Sequence, residues 1–261
     1  MLNERGKLQR LLTLLLFLLI AFVSGVLLHT ISGRYYGYAI DYIYSKEPVE
    51  ISTSENLKLR RMVHSLDKTK HDDENDIYRQ NYNIPFDSKT TALLLIDAWD
   101  YSNHPNDGYA KRMENHLKTK ITPLLEFARG NNIKIFHTPN EREISHYAKP
   151  LEGEWNLGWL YFLPQKLQTL YFYWLLKSEG ISTLLIAGSG LHLCIWERPI
   201  GIDKLRHFRG LEMILVRDAT ITNEYQDFEN EPMKKAFLNY LEADRLPSTT
   251  IDNLNSALEG K

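Results

Sequence analysis

The sequence predicts an α/β domain with a mainly parallel sheet and helices on both faces, preceded by one transmembrane helix. From Thr90 onward, short apolar runs alternate with amphipathic stretches, as is typical of parallel strands joined by helical crossovers. Glycine-containing stops such as Gly130-Asn131-Asn132 end the helical stretches. Polar residues at the carboxyl ends of such strands should converge on one edge of the sheet, where ligands bind.

Four strands and three helices are predicted in this region. The strands cover 91–97, 133–137, 183–187 and 211–217, and the helices cover 108–129, 163–179 and 193–209. The polar segment 138–158 predicts an irregular loop. Pro199 falls within the third helix, where it should kink or re-register the chain.

Composition limits the possible functions. The chain has 261 residues and a formal net charge of −2, with both signs interspersed. This balance offers no basic patch for nucleic acid, so no nucleic-acid partner is expected. A single cysteine excludes an intramolecular disulfide and a cysteine-based zinc site. No cofactor is predicted.

An apolar segment near the N-terminus predicts a membrane anchor. The run from Leu11 to Ile31 contains no Asp, Glu, Lys or Arg, and roughly twenty such residues span a hydrocarbon core of about 30 Å. Basic residues are more numerous before the run than after it. The positive-inside rule therefore predicts a single-pass membrane protein with a cytoplasmic N-terminus and an extracytoplasmic domain.

These features predict four regions. They are an N-terminal tail at 1–10, a transmembrane helix at 11–32, a juxtamembrane stalk or linker at 33–88 and the globular domain at 89–261. The linker assignment rests on its polar, charged composition.

Two strand ends carry side chains with candidate chemistry. Cys194 follows a strand and a turn containing Gly188 and Gly190, and a helix N-terminus there would favour its thiolate. Asp97 ends another strand, where a half-desolvated carboxylate with a raised pKa could accept the thiol proton. The alternatives are a buried apolar cysteine and an aspartate that caps a helix.

These motifs resemble those of the isochorismatase-like cysteine hydrolases. Leu93-Leu-Leu-Ile-Asp-Ala-Trp-Asp100 is similar to the family's opening strand, which reads aliphatic-aliphatic-Ile-Asp-x-Gln-x-Asp. Gly188-Ser-Gly-Leu-His-Leu-Cys194 resembles its nucleophile turn, Gly-x-x-Thr-x-x-Cys. The resemblance covers about two-thirds of the chain, from Thr90 to the C-terminus.

The resemblance implies a Rossmann-like three-layer α/β/α domain with an Asp–Lys–Cys triad. Asp97 would be the base and Cys194 the nucleophile. The backbone N–H groups of Gly190 and Cys194 would form an oxyanion hole, with a cis peptide at Ser189–Gly190. Members that have the cysteine cleave amides and related C–N bonds through a covalent intermediate.

The sequence departs from the family pattern at the lysine. The family position falls near Leu160, where no lysine occurs. Lys149 is therefore the predicted third catalytic residue, and Lys166 is interpreted as a solvated helix charge. Leu191 replaces the threonine of the nucleophile turn.

Two other features have less specific interpretations. His137 and His146 lack the Asp-x-His spacing of metal-dependent family members, so no metal site is predicted. The second feature is a set of aromatic residues that we divide between core packing and contact with a pocket, another subunit or the bilayer. The set comprises Trp155, Trp159, Tyr161, Phe162, Tyr171, Phe172, Tyr173 and Trp174.

We expect a membrane-anchored hydrolase, because the acid, the glycines and the cysteine occur in the order that the family requires. Its partners would be a small amide-like substrate, the bilayer and further copies of the chain or other subunits of a membrane assembly. The alternative is a catalytically inactive domain of the same fold that serves as a structural or interaction subunit. The unidentified lysine leaves the enzyme assignment open.

Overall fold

The computed structural model describes residues 56–64, 77–102, 108–139, 142–224, 228–244 and 246–258. The strands are β1 (Asn56–His64), β2 (Ile77–Pro85), β3 (Thr91–Ile96), β4 (Lys134–Thr138), β5 (Trp155–Asn156), β6 (Thr183–Ser189), β7 (Glu212–Ile221) and β8 (Ser248–Thr249). The α-helices are α1 (Gly108–His116), α2 (Thr122–Gly130), α3 (Gln165–Ser178), α4 (Ile202–Leu205), α5 (Pro232–Ala243) and α6 (Ile251–Leu258).

Across the described ranges, eight strands form one sheet in the order β2-β1-β8-β7-β6-β3-β4-β5. The strands from β8 to β5 pair in parallel, whereas β1 is antiparallel to both β2 and β8. The predicted mainly parallel α/β sheet is confirmed.

Helices cover both faces of the sheet because successive strand residues point to opposite sides. On one face, Leu93 and Leu95 of β3 belong to a buried cluster with residues of α2 and α6. On the other face, Leu94 and Ile96 belong to a cluster with residues of α3, α4 and α5. The two clusters give the molecule three layers.

The sheet extends into the segment predicted as linker. Strands β1 and β2 form an antiparallel hairpin, so the described domain includes residues 56–64 and 77–88. Leu57 and Leu59 are fully buried while Lys58 between them is exposed. This two-residue period is that of a half-buried strand. The alternating stretch is short and lies in a charged segment, which explains why the composition predicted a linker.

A buried polar network joins the hairpin to the rest of the domain. The Arg60 guanidinium contacts the Glu242 carboxylate at 2.7 Å, and the Glu242 side chain is 1% exposed. The Ser248 hydroxyl donates to the same carboxylate oxygen at 2.7 Å, and Arg217 donates to that hydroxyl at 3.2 Å. Strands β1, β7 and β8 are thereby tied to helix α5.

Two of the three predicted helices match, and the third does not. The first is continuous but contains a π-helical turn, Leu117–Ile121, between α1 and α2. The third, predicted over 193–209, consists of a π-helical turn at Leu191–Ile195, an interruption at Arg198–Pro199 and the short helix α4. The break falls at the proline, whose ring and missing N–H prevent a regular helix there.

No helix in the described ranges is long and apolar enough to cross a membrane. The predicted transmembrane helix at 11–32 lies outside the described residues.

Gly188 determines how closely β6 approaches β3 at the carboxyl edge. It pairs with Ile96, and a Cβ added to it would lie 1.9 Å from the Ile96 carbonyl oxygen. Its φ of +127° is also a conformation that other residues rarely adopt. A side chain here would push the two strands apart beside Asp97.

We therefore expect Gly188→Ala to lower the free energy of unfolding by about 2–4 kcal/mol, because it combines backbone strain with overpacking. Gly153→Ala is the matched control, since Gly153 also has positive φ (94°) but open space where its Cβ would be. Chemical denaturation of both variants measures the difference. Equal losses would contradict the close-approach argument.

The buried network gives a second prediction. Arg60→Ala leaves a fully buried carboxylate without its cation, whereas Glu242→Ala leaves an arginine whose side chain is 23% exposed. We expect a loss of about 3 kcal/mol for Arg60→Ala and a smaller loss for Glu242→Ala, because unpaired buried charge is the larger cost. Denaturation midpoints report both, and the reverse order would refute this account.

Candidate active site

Asp97 lies immediately after β3, at the carboxyl edge of the sheet. Its backbone takes the left-handed conformation, with φ of 54°, and its N–H donates to the Thr138 carbonyl at 3.3 Å. Its side chain is fully buried. A non-glycine residue in this conformation is uncommon, and such backbone strain is concentrated at functional sites.

Cys194 lies in the π-helical turn that follows β6. It is partly exposed, and its thiol and the Asp97 carboxylate are close enough to shift each other's pKa. Among the described residues, neither Asp97 carboxylate oxygen has a hydrogen-bond partner. The structure therefore brings together the two side chains that the sequence singled out at separate strand ends. Their catalytic roles remain predictions.

Arg198 completes the site and was not anticipated from the sequence. Its Nη2 lies 2.5 Å from Asp97 Oδ2 and 4.0 Å from Cys194 Sγ. It follows Cys194 by four residues, the spacing at which side chains meet on a helical surface. That spacing was the available signal, but the family pattern directed attention to lysine.

Burial dominates the electrostatics of the acid and the thiol. It raises the pKa of Asp97 to about 7, although Arg198, Cys194 and Arg142 act in the opposite direction. Burial, and then the negative charge of Asp97, raise the pKa of the Cys194 thiol to about 12, while Arg198 lowers it. The resting pair is thus a thiol beside a carboxylic group that titrates near neutrality. This corrects the expectation of a helix-stabilised thiolate.

Gly190 forms the turn between β6 and Cys194. It adopts φ of +71°, and its carbonyl accepts hydrogen bonds from Leu193 and Ile195. A Cβ at this position would lie 3.1 Å from Cys194 Sγ, so the absence of a side chain leaves room at the sulfur. Ser189 before it is buried, and its hydroxyl has no hydrogen-bond partner among the residues that the structure describes.

The cis peptide predicted at Ser189–Gly190 does not occur, because every peptide bond of the described residues is trans. The positive φ values of Gly188 and Gly190 make the turn instead.

Lys149 shows no contact with Asp97 or Cys194 among the described residues. Its side chain is exposed, and the groups that act on Asp97 and Cys194 do not include it. Its carbonyl accepts from Arg129 in the last turn of α2, next to the start of β4. No described contact supports Lys149 as the third catalytic residue.

Aromatic side chains lie near the Asp97–Cys194 pair. Trp99 donates its Nε1–H to the Pro139 carbonyl at 2.5 Å. The guanidinium of Arg198 lies 5.7 Å from the centre of the indole. Tyr101 and Tyr109 meet edge to face at 5.8 Å, and burial raises the pKa of Tyr109, with the charge of Cys194 contributing.

The two histidines have structural partners. His137 Nε2 lies 2.8 Å from Glu154, which also pairs with Arg129 at 2.7 Å. His146 is exposed and its ring contacts Tyr147 at 3.9 Å. No cluster of three metal-ligating side chains occurs in the described ranges.

The aromatic set divides much as expected. Phe172 and Tyr173 are fully buried, whereas Trp159, Tyr161 and Phe162 are 41%, 47% and 84% exposed. These three occupy the 3-10 helix Gly158–Phe162 that follows β5.

A cavity of about 290 Å³ lies elsewhere, at the amino end of β7. Trp196, Arg206, Glu212 and Asp244 contribute to its lining. It is separate from the Asp97–Cys194 pair, so we do not assign the candidate chemistry to it.

Comparisons with known proteins give likenesses only among solved structures. No family model and no curated protein matches the sequence. A cysteine hydrolase from Pseudomonas syringae pv. phaseolicola 1448A is 16% identical, with a TM-score of 0.48 over 67% of this chain and 96% of that one. An isochorismatase-like hydrolase from Alkaliphilus metalliredigens is 19% identical, with a TM-score of 0.46 over 65% and 99%.

N-carbamoylsarcosine amidase from Thermoplasma acidophilum is 13% identical, with a TM-score of 0.41 over 62% of this chain and 97% of that one. At identities below 25% and TM-scores below 0.5, these likenesses decide neither family nor activity.

The raised pKa of Asp97 predicts a pH-dependent cost to stability. The unfolded carboxyl titrates near 4 and the folded one near 7, so stability falls as pH rises through this window. We expect Asp97→Asn to raise the free energy of unfolding by about 4 kcal/mol at pH 8 and by about a third of that at pH 5.

Asp203→Asn is the control, because neighbouring Lys204 lowers the pKa of Asp203 and its removal should not stabilise the protein. Denaturation at the two pH values measures both variants. A gain for Asp97→Asn that is the same at pH 5 and pH 8 would contradict the assigned pKa.

Proposed function

We propose that this protein is a cysteine hydrolase that cleaves a small amide or related C–N bond through a covalent thioester-type intermediate. The observation that carries the proposal is the position of the Arg198 guanidinium, which lies 2.5 Å from the buried Asp97 carboxylate and 4.0 Å from the Cys194 sulfur. An acid whose pKa lies near neutrality suits general base catalysis, and a nucleophile beside its base is the arrangement of covalent catalysis.

In the first half-reaction, the Cys194 sulfur attacks the substrate carbonyl carbon while Asp97 takes the thiol proton. A C–S bond forms and the carbonyl electron pair moves onto oxygen. When the tetrahedral intermediate collapses, that electron pair re-forms the carbonyl and the C–N bond breaks. The leaving nitrogen takes the proton from Asp97, so proton and charge balance at the end of the step.

In the second half-reaction, water replaces the amine. Asp97 takes a proton from water as its oxygen attacks the thioester carbon, and the C–S bond then breaks. The sulfur recovers the proton from Asp97, which restores the starting state and releases the acid.

Arg198 acts only through its charge. A guanidinium remains protonated throughout the physiological range and cannot relay the proton. Its position beside Sγ and Oδ2 suits stabilisation of the sulfur anion as it develops, in the role expected of Lys149. The N–H groups of Gly190 and Cys194 are the proposed donors to the carbonyl oxygen, as in other oxyanion holes.

We also propose that the apolar run from Leu11 to Ile31 anchors the protein in a membrane with its N-terminus in the cytoplasm. The length of the run and the basic residues before it support this proposal. The domain at 89–261, with the hairpin added to it, would then be extracytoplasmic.

The second candidate function is a catalytically inactive interaction subunit. The exposure of Trp159, Tyr161 and Phe162 favours it, because exposed aromatic clusters are common at interfaces. The missing lysine no longer argues for inactivity, since Arg198 supplies a cation at the site.

The enzyme hypothesis predicts a clear order among three variants tested on a panel of small amides. Cys194→Ser should abolish turnover, and Arg198→Gln should lower kcat about a hundredfold, as loss of one transition-state donor does elsewhere. Lys149→Gln is the matched cation control and should retain wild-type kcat. Turnover that persists in Cys194→Ser, or loss of turnover in Lys149→Gln but not in Arg198→Gln, would refute the roles proposed for Cys194 and Arg198.

A further inference from the structure

We infer that the substrate of the proposed hydrolase carries a carboxylate, which Arg142 binds beside Trp99. This inference deepens the proposed function by naming a substrate class for the same site. It rests on the charges around Asp97 and on how the chain holds Arg142.

The first argument is a positive charge that has no carboxylate partner among the described residues. Asp97 is already paired with Arg198 at 2.5 Å. Arg142 is a second guanidinium close enough to lower the pKa of Asp97, and no described carboxylate lies within ion-pair distance of it. The Asp100 carboxylate instead accepts the Ser102 N–H at 2.8 Å. An exposed cation near a reacting pair attracts an anionic ligand.

The second argument is that Arg142 is held in place. Its guanidinium lies 4.2 Å from the centre of the Trp99 ring, at the distance of a cation–π contact. The Trp99 ring is itself fixed by its hydrogen bond to Pro139. A guanidinium positioned in this way loses less conformational entropy when it binds a planar carboxylate.

The third argument is that the backbone segment carrying Arg142 is hydrogen-bonded to the segment that carries Asp97. The Asp100 N–H donates to the Glu143 carbonyl, and the Ser145 N–H donates to the Ala98 carbonyl, both at 2.9 Å. Trp99 and Ile144 form an isolated β-bridge between the two segments. Arg142 therefore keeps a defined position relative to the reacting pair.

The test compares two alkylating agents of nearly equal size on the full-length protein. Iodoacetate carries a carboxylate and iodoacetamide is neutral, and both modify Cys194, the single cysteine of the chain. Intact-protein mass spectrometry gives the rate for each. The ratio of the two rates cancels changes in thiol reactivity and isolates recognition of the anion.

We expect Arg142→Gln to lower the iodoacetate-to-iodoacetamide rate ratio about fivefold, as loss of a charged hydrogen-bonding partner does. Arg142→Lys should keep most of the ratio. The control is Arg61→Gln, because Arg61 is also exposed and lies 4.6 Å over the ring of Tyr82, in the N-terminal hairpin. An unchanged ratio in Arg142→Gln, or an equal fall in Arg61→Gln, would overturn the inference.

Alkylation does not require turnover, so this result is separate from the test of hydrolysis. Assays with succinamate and succinamide run in parallel link the two. Preference for succinamate that disappears in Arg142→Gln supports both proposals. An Arg142-dependent alkylation ratio without hydrolysis of either amide would leave the anion site standing and remove the support for the hydrolase.

Discussion

The candidate site depends on the close approach of two central strands. Strands β6 and β3 pair in parallel up to Gly188 and Ile96, where there is no space for even one methyl group. The residues that follow, Asp97 on one strand and the Cys194 turn on the other, meet because of this approach. Gly188 and Gly190, the positive-φ glycines of this turn, belong to the same short segment as Cys194. The same stretch of sequence must therefore satisfy both the strand packing and the candidate chemistry.

Charge at this edge is arranged around a single acid. Asp97 loses hydration on burial and regains only part of that stabilisation from Arg198, so its carboxyl remains easy to protonate. A buried carboxyl with a raised pKa lowers the free energy of unfolding near neutral pH, because the folded state disfavours its charged form. Such a cost is common where residues are placed for function rather than for stability.

The sequence predicted the parallel core well because its strands are short, aliphatic and separated by helical patterns. It also predicted the meeting of Asp97 and Cys194, since carboxyl ends of parallel strands share an edge. It failed for β1 and β2, whose buried faces contribute only a few residues in a charged segment. It also failed for the cationic residue of the site. Lys149 was predicted from the position of the family lysine, whereas the observed cation, Arg198, lies four residues after Cys194, directly before Pro199.

The direction of β1 has a consequence for where the described domain begins. Strand β1 runs against β8, and β8 runs with the central strands, so Asn56 lies at the same edge as Asp97 rather than at the opposite one. The described domain therefore begins at the edge of the sheet that holds the candidate site, with β8, β7 and β6 lying between β1 and β3. Changes at either end of that edge act on the same side of the sheet.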